Sequence, residues 1–434
     1  MKILLIGNGA REHIIAEKLA ASPKCTSLVV FASAINPGIK KLSEFYEIGN
    51  LGDMKAIEAF AMEHDPDFAV VGPDNPIADG AADSLLKVGV PSMAPLAELA
   101  QIESSKSFAR ELVEKYKVPG NPFFKTFTSS EGMMEFAKEL GEIVVKADGL
   151  TGGKGVQVQG DHFETIEDGV AYAKDCVTKD GKVVIEEKFI GQEFSLMSFV
   201  DGTNVVDMPP IQDHKRAYEG DTGPNTGGMG TYNFAGNLPF LTQKDLDDAH
   251  AINVQTASAL KSETGKEFKG ILYGGFIAVK HGVRLIEYNA RFGDPEAMNA
   301  LVLLETDFVD VCKAVIDGTL RDLDIKFSHK ATVCKYAVPE GYPTNPVKGE
   351  RIKLNDVPEG VHVYYASVNE DEDGLSMSGS RAIAFVGVAD TIEEAEQLAQ
   401  KGVESVEGPV FFRADIGTRE LIQKRIDMMN VLRP

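Results

Sequence analysis

The chain has 434 residues, 43% of them apolar, with a formal net charge of −22 and a pI near 4.8. That length calls for roughly two to four domains rather than one core, and an acidic chain without a long Lys/Arg run excludes a nucleic-acid partner. Cys25, Cys176, Cys312 and Cys334 lie too far apart for a zinc knuckle or a disulfide framework. No run of about 18 apolar residues offers a membrane span, so a reducing cytoplasm is the expected location.

The chain opens as an apolar strand, a glycine turn and an amphipathic helix over 11–21: "LIGNGAREHIIAEKL". A dinucleotide site would need a third glycine where Glu12 stands, and an acidic tip on the second strand, which here ends in Phe31-Ala32-Ser33. NAD is therefore excluded. What remains is a turn whose amides suit one phosphate, with Arg11 and His13 to assist. Residues 1 to about 100 alternate strand and helix, as in a parallel sheet with covering helices. The second strand is followed by a loop, and "DFAVVGP" by a helix near 79–88. "ESSKSFARELVEKYKV" reads as a helix capped by Ser104 or Ser105.

From 123 to about 190 the pattern is strand-rich, with a helix near 164–178. "VVKADGLTGGKGVQV" places Gly149, Gly152, Gly153 and Gly155 between two strands, beside Lys146 and Lys154. It is no Walker A motif, since Gly155 stands where Ser or Thr is needed and a strand follows. It reads as a flap whose amides and lysines close over a polyphosphate. "VVIEEKFIGQEF" is an apolar strand running into Glu186, Glu187 and then Glu193, acceptors suited to a nucleoside beside that flap.

Further on, Asp213, His214, Lys215 and Arg216 precede a second glycine-rich loop. Its run Pro224-Asn225-Thr226-Gly227-Gly228 is rich in amides that suit a carboxylate or another anion. In "RLIEYNARFGDPE", Glu287 and Asn289 alternate along a strand and so share a face. A carboxylate and an amide oxygen on one face suit Mg²⁺, which keeps waters and substrate phosphates as its other ligands. Arg291 follows on the same face, fit to grip an oxyanion bidentately, and Asp294 lies in the turn beyond it. The last hundred residues are strand-rich, with "TIEEAEQLAQKGVESV" a helix whose Thr391 and Glu394 have capping-box spacing.

The stretches "GNGAREH", "KADGLTGGKGV", "QDHKR", "DTGPNTGGMG" and "NARFGDPE", in this order, resemble the ATP-grasp family of carboxylate–amine ligases, and within it the phosphoribosylamine–glycine ligases. The resemblance implies an α/β chain: a Rossmann-like substrate-binding domain over 1–102, an ATP-grasp α+β core over 103–325 with a flap subdomain at about 123–190, and a small β-rich domain over 326–434. It implies ATP with Mg²⁺ or Mn²⁺ as cofactors, and glycine and 5-phosphoribosylamine as substrates of purine synthesis, turned over by a monomer. Carried over by position, Lys106, Lys146 and Lys154 would meet the ATP phosphates under a flap of Gly152, Gly153 and Gly155. Glu186, Glu187 and Phe189 would frame the adenine and Glu193 the ribose, while Glu287 and Asn289 would hold the metal. Gly9, Arg11, His13, Pro73 in the "GPDNP" turn, Asp213, Lys215, Arg216, Asn225, Thr226, Gly227 and Arg291 would face the substrates. Arg291, Asp294, Lys154 and Asp213 would serve catalysis. The first turn would then hold a sugar phosphate. Two other readings stay open: an ATP-grasp ligase of purine synthesis using bicarbonate or formate, and a non-catalytic ATP-binding protein.

Overall fold

Five short apolar segments, β1 (Lys2–Ile6), β2 (Ser27–Ala32), β3 (Phe45–Ile48), β4 (Phe68–Val71) and β5 (Ser92–Met93), form a parallel sheet in the order β3-β2-β1-β4-β5. The architecture is that of a computed structural model, which describes residues 1–152 and 155–434. Helices α1 (Ala10–Ala20), α2 (Pro37–Leu42), α3 (Met54–His64), α4 (Asp74–Ala78) and α5 (Ala81–Lys87) connect these strands. The inner strands β1 and β2 are near-continuous apolar runs because helices cover both faces, and Ile3–Ile6 and Val29–Ala32 are fully buried. The segment read as a loop after β2 instead contains α2, β3 and α3. Asn36 Oδ1 caps α2 by accepting from the Gly38 and Ile39 amides at 3.0 and 3.2 Å, and Asp53 caps α3 in the same way. The helix α2 is six residues long and β3 is an exposed edge of four, so their apolar periodicity is weak, whereas α3, at 11 residues, is as long as α1 and was missed.

After α6 (Ala97–Ser104), α7 (Lys106–Lys115) begins at Ser105, whose Oγ accepts from Phe108 N–H at 3.1 Å. A flap subdomain follows: β6 (Phe124–Phe127), α8 (Met133–Leu140), β7 (Ile143–Ala147), β8 (Val156–Val158), α9 (Ile166–Asp180) and β9 (Val183–Glu187). Its antiparallel sheet, β6-β9-β7-β8, encloses a separate core of Phe127, Met133, Ile143, Val145, Val183 and Ile185.

Next come β10 (Gln192–Asp201), β11 (Val205–Asp207), β12 (Gln212–Asp213), the hairpin β13 (Arg216–Tyr218) and β14 (Thr222–Asn225), and β15 (Gly230–Asn233). They are followed by α10 (Gln243–Thr264), β16 (Lys269–Ala278), β17 (Val283–Asn289), α11 (Glu296–Leu303) and α12 (Phe308–Asp317). The antiparallel sheet β11-β10-β16-β17 is the floor of the middle region. The C-terminal region holds β18 (Ala331–Pro339), β19 (Arg351–Leu354), β20 (Val361–Tyr365), β21 (Val368–Asp371), β22 (Gly374–Met377), β23 (Ile383–Ala389), α13 (Ile392–Val403), β24 (Val406–Glu407), β25 (Val410–Phe411) and α14 (Arg419–Leu432). One sheet runs across both regions in the order β12-β15-β18-β23-β20, with Gly230–Asn233 paired to Thr332–Lys335. Thr391 caps α13 by accepting from Glu394 N–H at 3.3 Å, the first half of the predicted capping box. No described helix is long and apolar enough to cross a membrane.

Candidate active site

A cavity of about 800 Å³ opens between the flap subdomain, the middle sheet and the C-terminal region. The alternation read along β17 places Glu287, Asn289 and Arg291 on its wall. Glu287 faces Lys106 at 3.5 Å and Lys215 at 3.9 Å. Burial works against the Glu287 charge, but Lys106, Lys215 and Lys146 outweigh it and hold its carboxyl well below the usual range. Opposite Glu287 on β16 stands Gly275, which brings no oxygen side chain. Among the described residues no group of three or more His, Cys, Asp or Glu is arranged to hold a metal.

Behind this wall lies a second ion cluster. Arg110 of α7 grips Glu186 through Nε and Nη2 at 2.7 and 3.0 Å, and Lys146 Nζ lies 2.6 Å from the same carboxylate. Lys146 also donates to the Ile286 carbonyl at 2.6 Å. Burial lowers the Lys146 pKa to about 8, with Glu186 opposing and Arg110 adding to the shift. Glu186 is itself pulled down by Arg110 and Lys146 against its burial. Glu186 therefore lines the cavity as the anchor of Lys146, with its carboxylate already committed. Glu187, also expected around an adenine, accepts from Phe123 N–H at 2.7 Å, which leaves the segment to Phe189 to present its backbone. Glu193 is half-exposed and lies 3.8 Å from Lys215.

The start of the glycine loop is tied to α7. Asp148 accepts from Ser107 N–H at 3.1 Å and from Ser107 Oγ at 2.8 Å, fixing Gly149–Gly152 beside Lys106 at the first turn of the helix. Gly153 and Lys154 lie outside the described residues. Gly155 is not part of the cavity wall: its N–H goes to Thr151 Oγ1 at 3.0 Å and its carbonyl accepts from Ala147 at 2.9 Å.

The second glycine-rich loop forms the opposite wall, with Asp213, Lys215, Arg216, Asn225, Thr226 and Gly227. Thr226 folds it back by donating N–H and Oγ1–H to the Lys215 carbonyl at 2.7 and 2.8 Å. Arg381, from the C-terminal region, holds loop and turn together. It donates to the carbonyls of Gly227, Gly228 and Asp294 at 2.8, 3.0 and 2.8 Å, and pairs with the Asp294 carboxylate at 3.2 Å. Asp294 also accepts from Tyr336 at 2.6 Å. The Asp213 pKa rises to about 8, first through burial and then through Glu296, whose buried carboxylate accepts from Tyr273 at 2.9 Å. Arg291 is steadied by Glu103 at 2.9 Å, and its buried Nε has no partner among the described residues.

The first turn departs from expectation. Glu12 folds back so that its Oε2 accepts from Gly9 N–H at 2.6 Å. A Cβ on Gly72 would lie 2.1 Å from Glu12 Oε1, and one on Gly7 would lie 2.7 Å from Glu12 Cγ, so the glycines make room for this side chain. The Gly9 amide is thus spent on the protein's own carboxylate and is not offered to a phosphate. His13 is turned away from the cavity. It is buried, stacks on Tyr365 at 5.7 Å and accepts from Tyr365 N–H at 3.0 Å, which joins α1 to β20. Burial lowers its pKa to about 4, so it stays neutral. Pro73 packs against the Gly7 turn, and Asp74 beside it reaches the cavity instead. Arg11 does line the cavity, held by Glu12 at 2.5 Å and the Phe292 carbonyl at 3.2 Å.

Arg110, Glu103, Glu296 and Arg381 were given no role from sequence, although Glu103 and Arg110 lie in "ESSKSFARELVEKYKV" and Glu296 closes "RLIEYNARFGDPE"; Asp148, also without a role there, lies inside "KADG".

Comparison with known proteins agrees with this geometry. Models described as the phosphoribosylglycinamide synthetase N domain, ATP-grasp (A) domain and C domain match residues 1–103, 104–297 and 332–419. The chain is 49% identical to the phosphoribosylamine–glycine ligase of Methanosarcina barkeri over 434 residues, covering 100% of both chains. It is 47% identical over 445 residues to the enzyme of that name from Methanocaldococcus jannaschii, again covering 100% of both. The crystal structure of phosphoribosylamine–glycine ligase from Thermotoga maritima superposes with a TM-score of 0.79 at 29% identity, covering 96% of this chain and 100% of that one. The chain belongs to the phosphoribosylglycinamide synthetase family, with an ATP-grasp core.

Proposed function

We propose that this protein ligates glycine to 5-phosphoribosylamine at the expense of ATP, through glycyl phosphate, giving glycinamide ribonucleotide, ADP and phosphate in purine synthesis. The observation that carries the reading is the meeting in one cavity of Lys106, Lys146 and Lys215 with Glu287, Asn289 and Arg291, in a chain whose relatives of that name match it end to end.

A carboxylate is a poor electrophile, so the glycine carboxylate oxygen attacks the γ-phosphorus and ADP leaves. Charge accumulates on the transferring phosphoryl oxygens, and fixed cations aimed at them lower the barrier. Lys106 and Lys146 are fixed in this sense: one sits at the first turn of α7, the other is locked by Glu186. Arg291 lines the same cavity, where its guanidinium can meet an oxyanion. The amine of phosphoribosylamine then attacks the acyl carbon and phosphate leaves.

Glu287 and Asn289 fit a divalent ion of the Mg²⁺ or Mn²⁺ kind, because they offer one anionic and one neutral oxygen and leave the remaining positions to phosphates and water. Such an ion would neutralise polyphosphate charge when bound. No covalent nucleophile from the protein is needed: burial pushes the Cys312 and Cys334 thiols far up.

Glycine labelled with heavy oxygen in its carboxylate tests the reading, with phosphoribosylamine generated in place. One labelled oxygen should appear in inorganic phosphate per turnover. Unlabelled phosphate alongside product would remove the acyl phosphate, and no product from glycine would remove the assignment.

A further inference from the structure

The cavity wall formed by β8 is tied to the far C-terminus, whose Arg425 lines the same cavity beside Asp221. Asp221, at the tip of the β13–β14 hairpin, sits in the left-handed region with φ of 59°. Its carboxylate is clamped by two arginines of the C-terminal region: Arg413 at 3.0 Å through Oδ1, and Arg425 of α14 through Oδ2. Arg413 is 1% exposed and also donates to the Arg216 carbonyl at 3.1 Å and to Asp415 at 2.7 Å, while Asp415 accepts from Gly220 N–H at 2.9 Å. The tip of the hairpin is thus fixed from behind.

The other end of the hairpin touches the flap subdomain at two points. Arg216 lies 3.5 Å from Asp161, and Asn225, its partner across the hairpin, lies 3.1 Å from His162 Nε2. His162 Nδ1 accepts from Val158 N–H at 3.1 Å, so in the neutral ring Nε2 carries the proton and meets the amide oxygen of a suitably turned Asn225. Val158 and Val156 line the cavity on the same side as Glu187 and Phe189. A continuous hydrogen-bonded path therefore runs from α14 through Asp221, the hairpin and His162 to β8. Nearly all of α14 lies beyond residue 419, where the family models stop matching.

We infer that Arg425 is a positioning residue for the nucleotide: acting through Asp221 and the hairpin, it holds β8 against the base and so sets affinity for ATP. The inference rests on the nucleotide-binding reading of the cavity. Side chains along such a path modulate coupling between sites by about 0.5–2 kcal/mol, or about two- to thirtyfold.

The test uses the full chain and reads nucleotide binding apart from turnover. In Arg425→Gln the Kd for ADP, by calorimetry, and the KM for ATP should rise about five- to tenfold, with kcat and the glycine KM within about twofold. Arg425→Lys should restore most of the affinity. Deuterium uptake over 156–163 should increase in Arg425→Gln and stay unchanged in α13. Asp161→Asn, at an exposed position on the other end of the path, keeps the test open if Arg425→Gln folds poorly. It should raise the same constants by releasing one of the two hairpin contacts to the flap, and the double variant should fall short of the sum of the single effects, because both act through the hairpin. Failure of wild type to bind ADP would remove the nucleotide reading itself. Wild-type binding with an unchanged Kd in Asp161→Asn, or unchanged uptake over 156–163 in Arg425→Gln, would overturn the positioning role.

Discussion

Two ion clusters stand on either side of the same stretch of β17, and they are built differently. Around Glu186 the partners Arg110 and Lys146 are all about 4% exposed or less, and every contact is 3.0 Å or shorter. Around Glu287 the carboxylate is 22% exposed, and its lysines stand off at 3.5 and 3.9 Å. In a closed cluster every charge is satisfied within the protein, and removing one member strands the others in a dry interior. In an open cluster the long separations leave room for an ion or a phosphate. Sequence shows two acidic residues on two strands, while packing commits one to the scaffold and leaves the other open to the cavity.

The largest effect should fall on the closed cluster. Glu186→Gln leaves Arg110 and Lys146 buried without an anion and should destabilise the fold by about 3–5 kcal/mol in denaturant unfolding. A loss below about 1 kcal/mol would erase the distinction between the clusters.

Glu287→Gln should behave in the opposite sense. Lysines that already stand off in a wet cavity need little rearrangement, so stability should change by less than about 1 kcal/mol. Turnover should fall about 10²–10³-fold, the size of a lost transition-state contact, and the Mg²⁺ concentration needed for half-maximal rate should climb. Equal unfolding in both variants would sink the comparison.

A pH titration sharpens it. His214 is buried beside Arg425 and Arg413, and burial with those cations lowers its pKa from 6.5 to about 3. As pH falls through 6.5 the unfolded chain takes up the proton before the folded one, so stability is present above 6.5 and is lost progressively toward pH 3. Between pH 6.5 and 5 this group alone should remove ~2 kcal/mol. His214→Gln should flatten that limb of the stability curve, while a parallel curve would show that the acid loss lies in the carboxylates.

The smallest effect belongs to Glu193, 57% exposed and 3.8 Å from Lys215. Glu193→Gln should leave stability within about 0.5 kcal/mol and raise the KM for ATP only a few-fold. A change in stability as large as that of Glu186→Gln would show that exposure does not separate the two kinds of cluster.

What could be read in advance follows the same division. Glu287, Asn289 and Arg291 were legible because a strand repeats every two residues, so spacing alone puts them on one face. Of the glycine loop, Gly149 and Gly152 line the cavity, as glycines between strands beside a lysine suggest, while Gly153 and Lys154 lie outside the described residues. Arg110 was not, since in "SFARELVEK" it looks like any helical surface cation and its partner Glu186 lies 76 residues away. Arg381 is hidden for the same reason, 87 residues from Asp294. His13 misled because a histidine near a glycine turn suggests a ligand, whereas here its neighbour is Tyr365, which no local pattern announces. Within the loop expected after β2, α2 and β3, at six and four residues, are too short to show a period, while the 11-residue α3 was overlooked.

The shared sheet has a consequence for how the protein is made. The loop over 224–228 is followed directly by β15, whose pairing partner is β18, with β23 and β20 beyond it. At ribosomal speed the end of β18 at Pro339 emerges roughly five to twenty seconds after β15. Throughout that interval β15 presents an unpaired edge, open to a wrong partner on a neighbouring nascent chain. A fragment ending near residue 325 would carry the same edge permanently, so the catalytic middle cannot be harvested as an independent module. Its birth as an enzyme waits on the last hundred residues, and chaperone demand during synthesis should peak while they are being made.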